Sequence, residues 1–174
     1  MTNRGLFVGR FQPFHKGHLE AVKAILKRVD ELVMVAGSSQ YSHTLDNPFT
    51  TGERITMIRR SMEEENISPS KYLIVPVPDL HIHAIWVAQV VGYCPEFDVV
   101  YTNEPLTRRL FIEAGYNIEP VPFHRRKIYS STNIRKRMLI GEGWEELVAE
   151  SVAEFIKEIN GLGRLQDLAK TDKI

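Results

Sequence analysis

A single cysteine, Cys94, occurs among the 174 residues. One thiol excludes an internal disulfide framework and a cysteine metal cluster. Net charge is missing as well, because 22 Lys and Arg balance 22 Asp and Glu. A chain without a basic excess is not built to wrap nucleic acid, although a local basic cleft stays open to it. No apolar run approaches the ~20 residues that span a bilayer, so no membrane partner is expected. A secretory leader is not expected either, since Arg4 and Arg10 bracket too short an apolar stretch. The expected location is a reducing cytoplasm. Internal repeats and low-complexity tracts are lacking. Two common phosphate-binding signatures are lacking too. No G-x-G-x-x-G opens the first helix, and the glycine run and G-K-[ST] end of a Walker A loop do not occur. A phosphate ligand would have to be held by histidine and arginine instead.

What is present is enough apolar residue, 43%, for a real core. The length suits one globular domain over 1–174. Strand signals at 6–8, 32–36, 72–75, 98–101 and 117–120 alternate with helix signals at 16–28, 50–64, 84–91 and 104–114. Helices at 133–139, 151–159 and 163–169 follow, so 133–174 is a mainly helical C-terminal part. The strands are continuously apolar rather than alternating. This predicts an α/β fold, a Rossmann-like doubly wound parallel sheet with helices on both faces and short C-terminal helices. Ligands of such sheets bind beyond the carboxyl ends of the strands. The loops 9–18, 37–50, 76–86 and 102–105 are therefore the candidate site.

The first of these loops is the most telling. Gly9-Arg10-Phe11-Gln12-Pro13-Phe14-His15-Lys16-Gly17-His18 joins a strand to an amphipathic helix. The helix N-terminus supplies unpaired N–H groups and a partial positive charge. Gly17 allows close approach. His15 and His18 are three apart and can share one helical face. Either histidine could instead be an ordinary core or surface residue, and Arg10 and Lys16 could be surface cations. A second segment, Ser130-Ser131-Thr132-Asn133-Ile134-Arg135, follows about 115 residues later. One of its hydroxyls must cap the next helix, which requires no function. Arg135 lies on the same helical edge as Thr132, so hydroxyls, N–H groups and a guanidinium can meet one anion.

His15-Lys16-Gly17-His18 resembles the His-x-Gly-His motif of the nucleotidyltransferase superfamily, which shares its fold with class I aminoacyl-tRNA synthetases. The second segment resembles the Ser-Ser-Thr-x-Ile-Arg motif of the same superfamily. The flanks Gly9-Arg10-Phe11-Gln12-Pro13-Phe14 and Thr132-Asn133-Ile134-Arg135-Lys136-Arg137-Met138 are similar to the archaeal nicotinamide-nucleotide adenylyltransferases. So is Ser42-His43 followed by Asn47-Pro48-Phe49-Thr50. The resemblance runs from Arg4 to about Ala169.

That resemblance implies transfer of AMP from ATP to nicotinamide mononucleotide (NMN), giving NAD and pyrophosphate. The attacking phosphate oxygen is already an anion, so positioning and charge neutralisation should supply most of the rate. The implied catalytic residues are His18, His15, Arg10 and Arg135. ATP is expected against Gly9, Arg10, Phe11, His15, Gly17, His18, Asn103, Phe123, Tyr129, Ser130, Ser131, Thr132 and Arg135. NMN is expected against Gly37, Ser38, Ser39, His43, Asp79, Leu80 and Trp86. From sequence alone, Gly37 to Gln40 could be a plain turn and Trp86 a core residue. Asp79, His81 and His83 also admit a metal reading, which lacks a fourth ligand nearby.

Two local departures from the family pattern stand out. Thr102-Asn103-Glu104 occupies the place of Ser-Gly-Asn, and Ser131 stands where glycine is frequent. Magnesium is expected, held mainly through the ATP phosphates rather than by protein ligands. A homo-oligomer is also implied, a hexamer among its forms. The two motifs fit other acceptors as well, namely phosphopantetheine, FMN or glycerol phosphate in adenylyl or cytidylyl transfer. A non-catalytic nucleotide-binding relative is the remaining class.

Overall fold

The computed structural model describes residues 2–122, 125 and 127–170. The chain forms two compact units. The first comprises Met1–Arg10, Glu20–Ser39 and Ser68–Phe123, the second Phe11–Leu19, Gln40–Ile67 and His124–Ile174.

The first unit is a five-stranded parallel sheet in the order β3-β2-β1-β4-β5. Its strands are β1 (Arg4–Gly9), β2 (Glu31–Ala36), β3 (Tyr72–Pro76), β4 (Val99–Tyr101) and β5 (Asn117–Glu119). Leu6, Val33 and Val100 lie in register on one face, with Val8 and Val35 two residues on. They build a core with Val90 of α3 (His83–Tyr93) and Phe111 of α4 (Pro105–Glu113). Continuous apolar strands are what a sheet covered on both faces requires. The opposite face is also closed, since Leu32 and Met34 are fully buried. Gly5 permits this packing, because a Cβ there would meet Tyr101 at 3.0 Å and Leu32 at 3.4 Å. The strand order turns back on itself after β3, so β1 and β4 flank the topological switch point.

The second unit is helical. It holds α2 (Thr51–Glu64), α5 (Ser131–Ile140), α6 (Glu150–Glu158) and α7 (Gly161–Ala169). The sequence predicts the start of α2, and Thr50 caps it in a full capping box with Glu53. Arg164 reaches from α7 to the same carboxylate with bonds of 2.6 and 2.8 Å. Gly141 ends α5 with φ 71, a left-handed position that suits glycine.

Several boundaries differ from expectation by one to three residues, and two of them have a clear local cause. Helix α1 (Lys16–Ile25) stops before 28, in tight turns whose Arg28 N–H donates to Ile25 O at 2.8 Å. The chain must reverse there to enter β2 at Glu31. Helix α5 begins at Ser131 rather than 133, because Ser130 is the residue that caps it. Among the described residues no helix is long and apolar enough to cross a membrane.

Candidate active site

Each unit carries one group of candidate residues. In the first unit, a cavity of about 400 Å³ opens at the carboxyl ends of the strands. Val8, Gly9 and Arg10 come from the end of β1, Gly37 and Ser38 from the end of β2, and Thr102 from the end of β4. Asp79 follows β3, His83 and Trp86 lie on α3, and Glu104, Thr107 and Leu110 belong to the start and face of α4. Gly37 N–H donates to Gly9 O at 2.9 Å, which pins the two strand ends together. Ser38 sits in the left-handed region at φ 49, so the chain leaves β2 sharply. Trp86 packs edge-on against Phe111 at 5.6 Å and is half-buried. One face of its indole is thus supported while the residue also lines the cavity.

The second unit assembles a different set. His15 is buried, and its ring stacks on that of His18 at 3.6 Å with 19° between planes. His15 N–H donates to His18 Nδ1 and His18 N–H donates to His15 Nδ1, each at 3.3 Å. Both Nδ1 atoms are therefore acceptors, which leaves the Nε2 atoms to carry the protons. Burial pushes both imidazoles down from 6.5, His15 to about 3, and the neighbouring ring lowers His18 further. Phe11 and Phe14 enclose His18, with centroids at 5.0 and 5.4 Å. A Cβ at Gly17 would come within 2.8 Å of Tyr129 Cβ and 3.0 Å of His15 Nδ1, so only glycine fits. The start of α5 ties into the same loop. Ser130 Oγ accepts from Asn133 N–H at 3.2 Å, and Ser131 Oγ donates to Pro13 O at 3.1 Å. Arg135 donates through Nη1 to Gln12 O at 2.9 Å and through Nη2 to Asp46 Oδ1 at 3.3 Å. Two neutral Nε2–H donors, a capped helix terminus and a buried guanidinium form a set suited to a polyanion.

The cytidylyltransferase-like family model matches residues 6–137. Nicotinamide-nucleotide adenylyltransferase of Ignicoccus hospitalis is 54% identical over 97% of this chain and 99% of its own. The protein of the same name from Thermococcus kodakarensis is 50% identical over 97% of this chain and 90% of its own. The chain belongs to the nicotinamide-nucleotide adenylyltransferase family. Among solved structures, it is similar to a bifunctional NMN adenylyltransferase/ADP ribose pyrophosphatase from Francisella tularensis. The TM-score is 0.78 at 21% identity, over 97% of this chain and 52% of that one. That likeness concerns the fold, and this chain spans about half the length of the Francisella polypeptide.

In this member of the adenylyltransferase family, His15, His18, Phe11, Gly17, Tyr129, Ser130, Ser131, Thr132 and Arg135 all belong to the second unit. Gly9 and Arg10, expected with them at ATP, line the first unit's cavity beside Gly37, Ser38, Asp79 and Trp86. Asn103 uses its side chain on structure. Its Nδ2 donates to Val121 O at 2.7 Å, and its Oδ1 accepts from Val121 N–H at 3.1 Å. Ser39 N–H donates to Val77 O at 3.2 Å, and Leu80 is exposed. Neither Ser39 nor Leu80 lines the cavity. His43 belongs to the second unit, exposed at φ 56, with its Nδ1 2.9 Å from Ser42 Oγ. Phe123 lies outside the described residues.

Sequence reasoning passed over Gln12, whose side chain clamps Phe49 through Nε2 to its carbonyl and Oε1 from its N–H at 2.9 and 3.0 Å. A signal existed, because a glutamine inside the apolar run Phe11 to Phe14 must find partners once buried. It also passed over Asp46, Thr107 and the place of His83 in the cavity.

Proposed function

We propose that this chain transfers the adenylyl group of ATP to nicotinamide mononucleotide, forming NAD and releasing pyrophosphate. A phosphate oxygen of the acceptor forms a bond to the α-phosphorus, and the bond from that phosphorus to the bridging oxygen of the β-phosphate breaks. The electron pair leaves with pyrophosphate, and no proton needs to be removed from the nucleophile. The protein's task is to orient two anions and to neutralise charge on the leaving group.

The observation that carries this reading is the junction of the two motifs in one unit. His15 and His18 offer Nε2–H donors from one end of α1, while Ser130, Ser131 and Arg135 frame the start of α5. These groups take the triphosphate. The cavity walled by Trp86 takes the pyridine nucleotide, its ring against the indole and its phosphate toward Arg10 and the Gly37–Ser38 turn. Arg10 and Phe11 are consecutive in sequence, so one loop supplies both groups of residues.

Magnesium belongs to the same proposal. Among the described residues no group of three or more His, Cys, Asp or Glu is gathered to hold a metal ion. The donors around α1 and α5 are N–H and O–H groups, which suit the oxygens of a metal–triphosphate complex rather than a bare cation. Bound this way, magnesium would add positive charge to the departing pyrophosphate. A coupled assay of NAD formation from ATP and NMN, with and without magnesium, tests the reading. Turnover that requires both nucleotides and the metal is the expected result.

A further inference from the structure

Arg135 meets Gln12 and Asp46 on different terms. Its bond to Gln12 O, at 2.9 Å, is buried and goes to a neutral carbonyl. Its bond to Asp46 Oδ1, at 3.3 Å, is only partly buried and goes to a carboxylate. The Arg135 side chain is 6% exposed and the Asp46 side chain 79%. An anion arriving from water therefore reaches the guanidinium on the side that Asp46 already holds. Among the described residues Asp46 has no other hydrogen bond or ion pair. The turn around it is closed at both ends, since Thr44 N–H donates to Asn47 O at 3.2 Å and Asn47 N–H donates to Thr44 Oγ1 at 3.0 Å. Rotation of one exposed side chain is thus enough to release Arg135, with the backbone left in place.

We propose that Asp46 stands in for a phosphate on Arg135 and sets the affinity for the triphosphate by competing with it. The inference deepens the assignment of Arg135 to that group and rests on it. A buried guanidinium with no anion beside it is strongly destabilising, and the Asp46 carboxylate offsets this in the free protein. A phosphate takes the same nitrogen in a stronger, charge-assisted bond. The two anions do not share it, because like charges about 4 Å apart repel. Binding of the triphosphate therefore turns the Asp46 side chain out into water, which already surrounds most of it. The consequence is a weaker hold on ATP, and on the departing pyrophosphate, than Arg135 alone would give.

The test measures the Kd of inorganic tripolyphosphate by calorimetry and the KM for ATP in the wild type, Asp46→Asn and Asp46→Ala. Both neutral variants should bind tripolyphosphate about fivefold more tightly, the upper range of one solvent-facing ion pair. The KM for ATP should fall by a similar factor, while the KM for NMN stays where it was. Asp46→Glu, which keeps the charge, should stay near the wild type. In an Arg135→Lys background the gain from Asp46→Asn should shrink, because the fork that both anions compete for is gone. Weaker tripolyphosphate binding in Asp46→Asn would mean that the acid orients Arg135 for phosphate, and would overturn the proposal while leaving the assignment of Arg135 standing. Unchanged binding would do the same. So would a gain of equal size in the Arg135→Lys background, which would make Asp46 a charge acting at a distance. If Arg135→Lys by itself alters neither tripolyphosphate binding nor the KM for ATP, the assignment of Arg135 falls together with the proposal.

Discussion

His15 and His18 cap one another: each backbone N–H donates to the other's ring Nδ1 at 3.3 Å, and the rings stack at 3.6 Å. The pair thereby satisfies two N–H groups at the start of α1 and fixes which nitrogen of each ring carries the proton. Replacing His18 by Ala should lower kcat by about 10²- to 10³-fold, the usual loss of one preorganised donor facing developing charge. It should also destabilise the fold by about 1–2 kcal/mol, because His15 N–H loses its acceptor. Parallel kinetics and thermal unfolding separate the two effects. Normal specific activity in the folded fraction would make His18 a purely structural cap.

The same pair predicts an acid-sensitive fold. Burial holds both imidazoles below 6.5, His15 at about 3. The unfolded chain therefore takes up protons that the folded chain refuses. This share of stability is fully present above pH 6.5 and is lost as pH falls toward the folded value near 3. Glu53 and Glu64, which burial pushes up but whose hydrogen bonds outweigh it and hold them below 4.5, act in the same direction at lower pH. The interval from 6.5 to 4.5 thus reports on the histidines. Urea midpoints should fall between pH 7 and pH 5 by an amount worth about 4 kcal/mol, roughly 2 kcal/mol for each histidine. The fall should shrink in a His15→Gln, His18→Gln double variant. Equal midpoints at the two pH values in the wild type would contradict the account.

Arg135 and Trp86 should separate the two substrates. Arg135 is nearly inaccessible and bonds to both Gln12 O and Asp46 Oδ1. Lysine keeps the charge but cannot span both acceptors. Arg135→Lys should cost about 1–2 kcal/mol of stability and raise KM for ATP, with the acceptor's KM little changed. Trp86→Ala should raise the acceptor's KM most, because stacking is present before reaction as well as during it. Full kinetics, varying each substrate at a saturating level of the other, give the comparison. The reverse pattern would mean that the two subsites have been exchanged.

Glu53 offers a control on a side chain assigned to neither substrate. It accepts from Thr50 N–H at 2.9 Å in the capping box and binds Arg164 through both oxygens. Glu53→Ala removes half of the cap and takes the carboxylate from a partly buried guanidinium, which keeps its bond to Pro48 O at 3.0 Å. Thermal unfolding should report a loss of about 2 kcal/mol, with the KM of both substrates unchanged.

Most of the fold was legible because its signals are local. Leu6 to Val8 is an unbroken apolar run ahead of Gly9, and Thr50 with Glu53 marks a helix start three residues apart. The β1-to-α1 loop was legible for the same reason, since its histidines and glycine lie within four positions. What escaped was held by long-range pairing. The bond from Arg135 to Gln12 O joins residues 123 apart, and no spacing rule reveals it. Asp46 lies in the loop 37–50, and only its contact with Arg135 marks it out. Gly9 and Arg10, expected at ATP, line the cavity beside Trp86, and only the sheet shows that the ends of β1, β2 and β4 meet there. Asn103 read as a ligand residue in a loop, whereas its amide is consumed by the backbone of Val121.

The most direct measurement incubates the protein with ATP and magnesium against a panel of phosphate acceptors: NMN, nicotinate mononucleotide, phosphopantetheine, FMN and glycerol phosphate. Pyrophosphate and the condensed product are quantified separately. Adenylyl transfer to pyridine mononucleotides should give pyrophosphate and dinucleotide in equal amounts, far ahead of the other acceptors. A clear preference for phosphopantetheine or FMN, or ATP binding without pyrophosphate release on any acceptor, would contradict it.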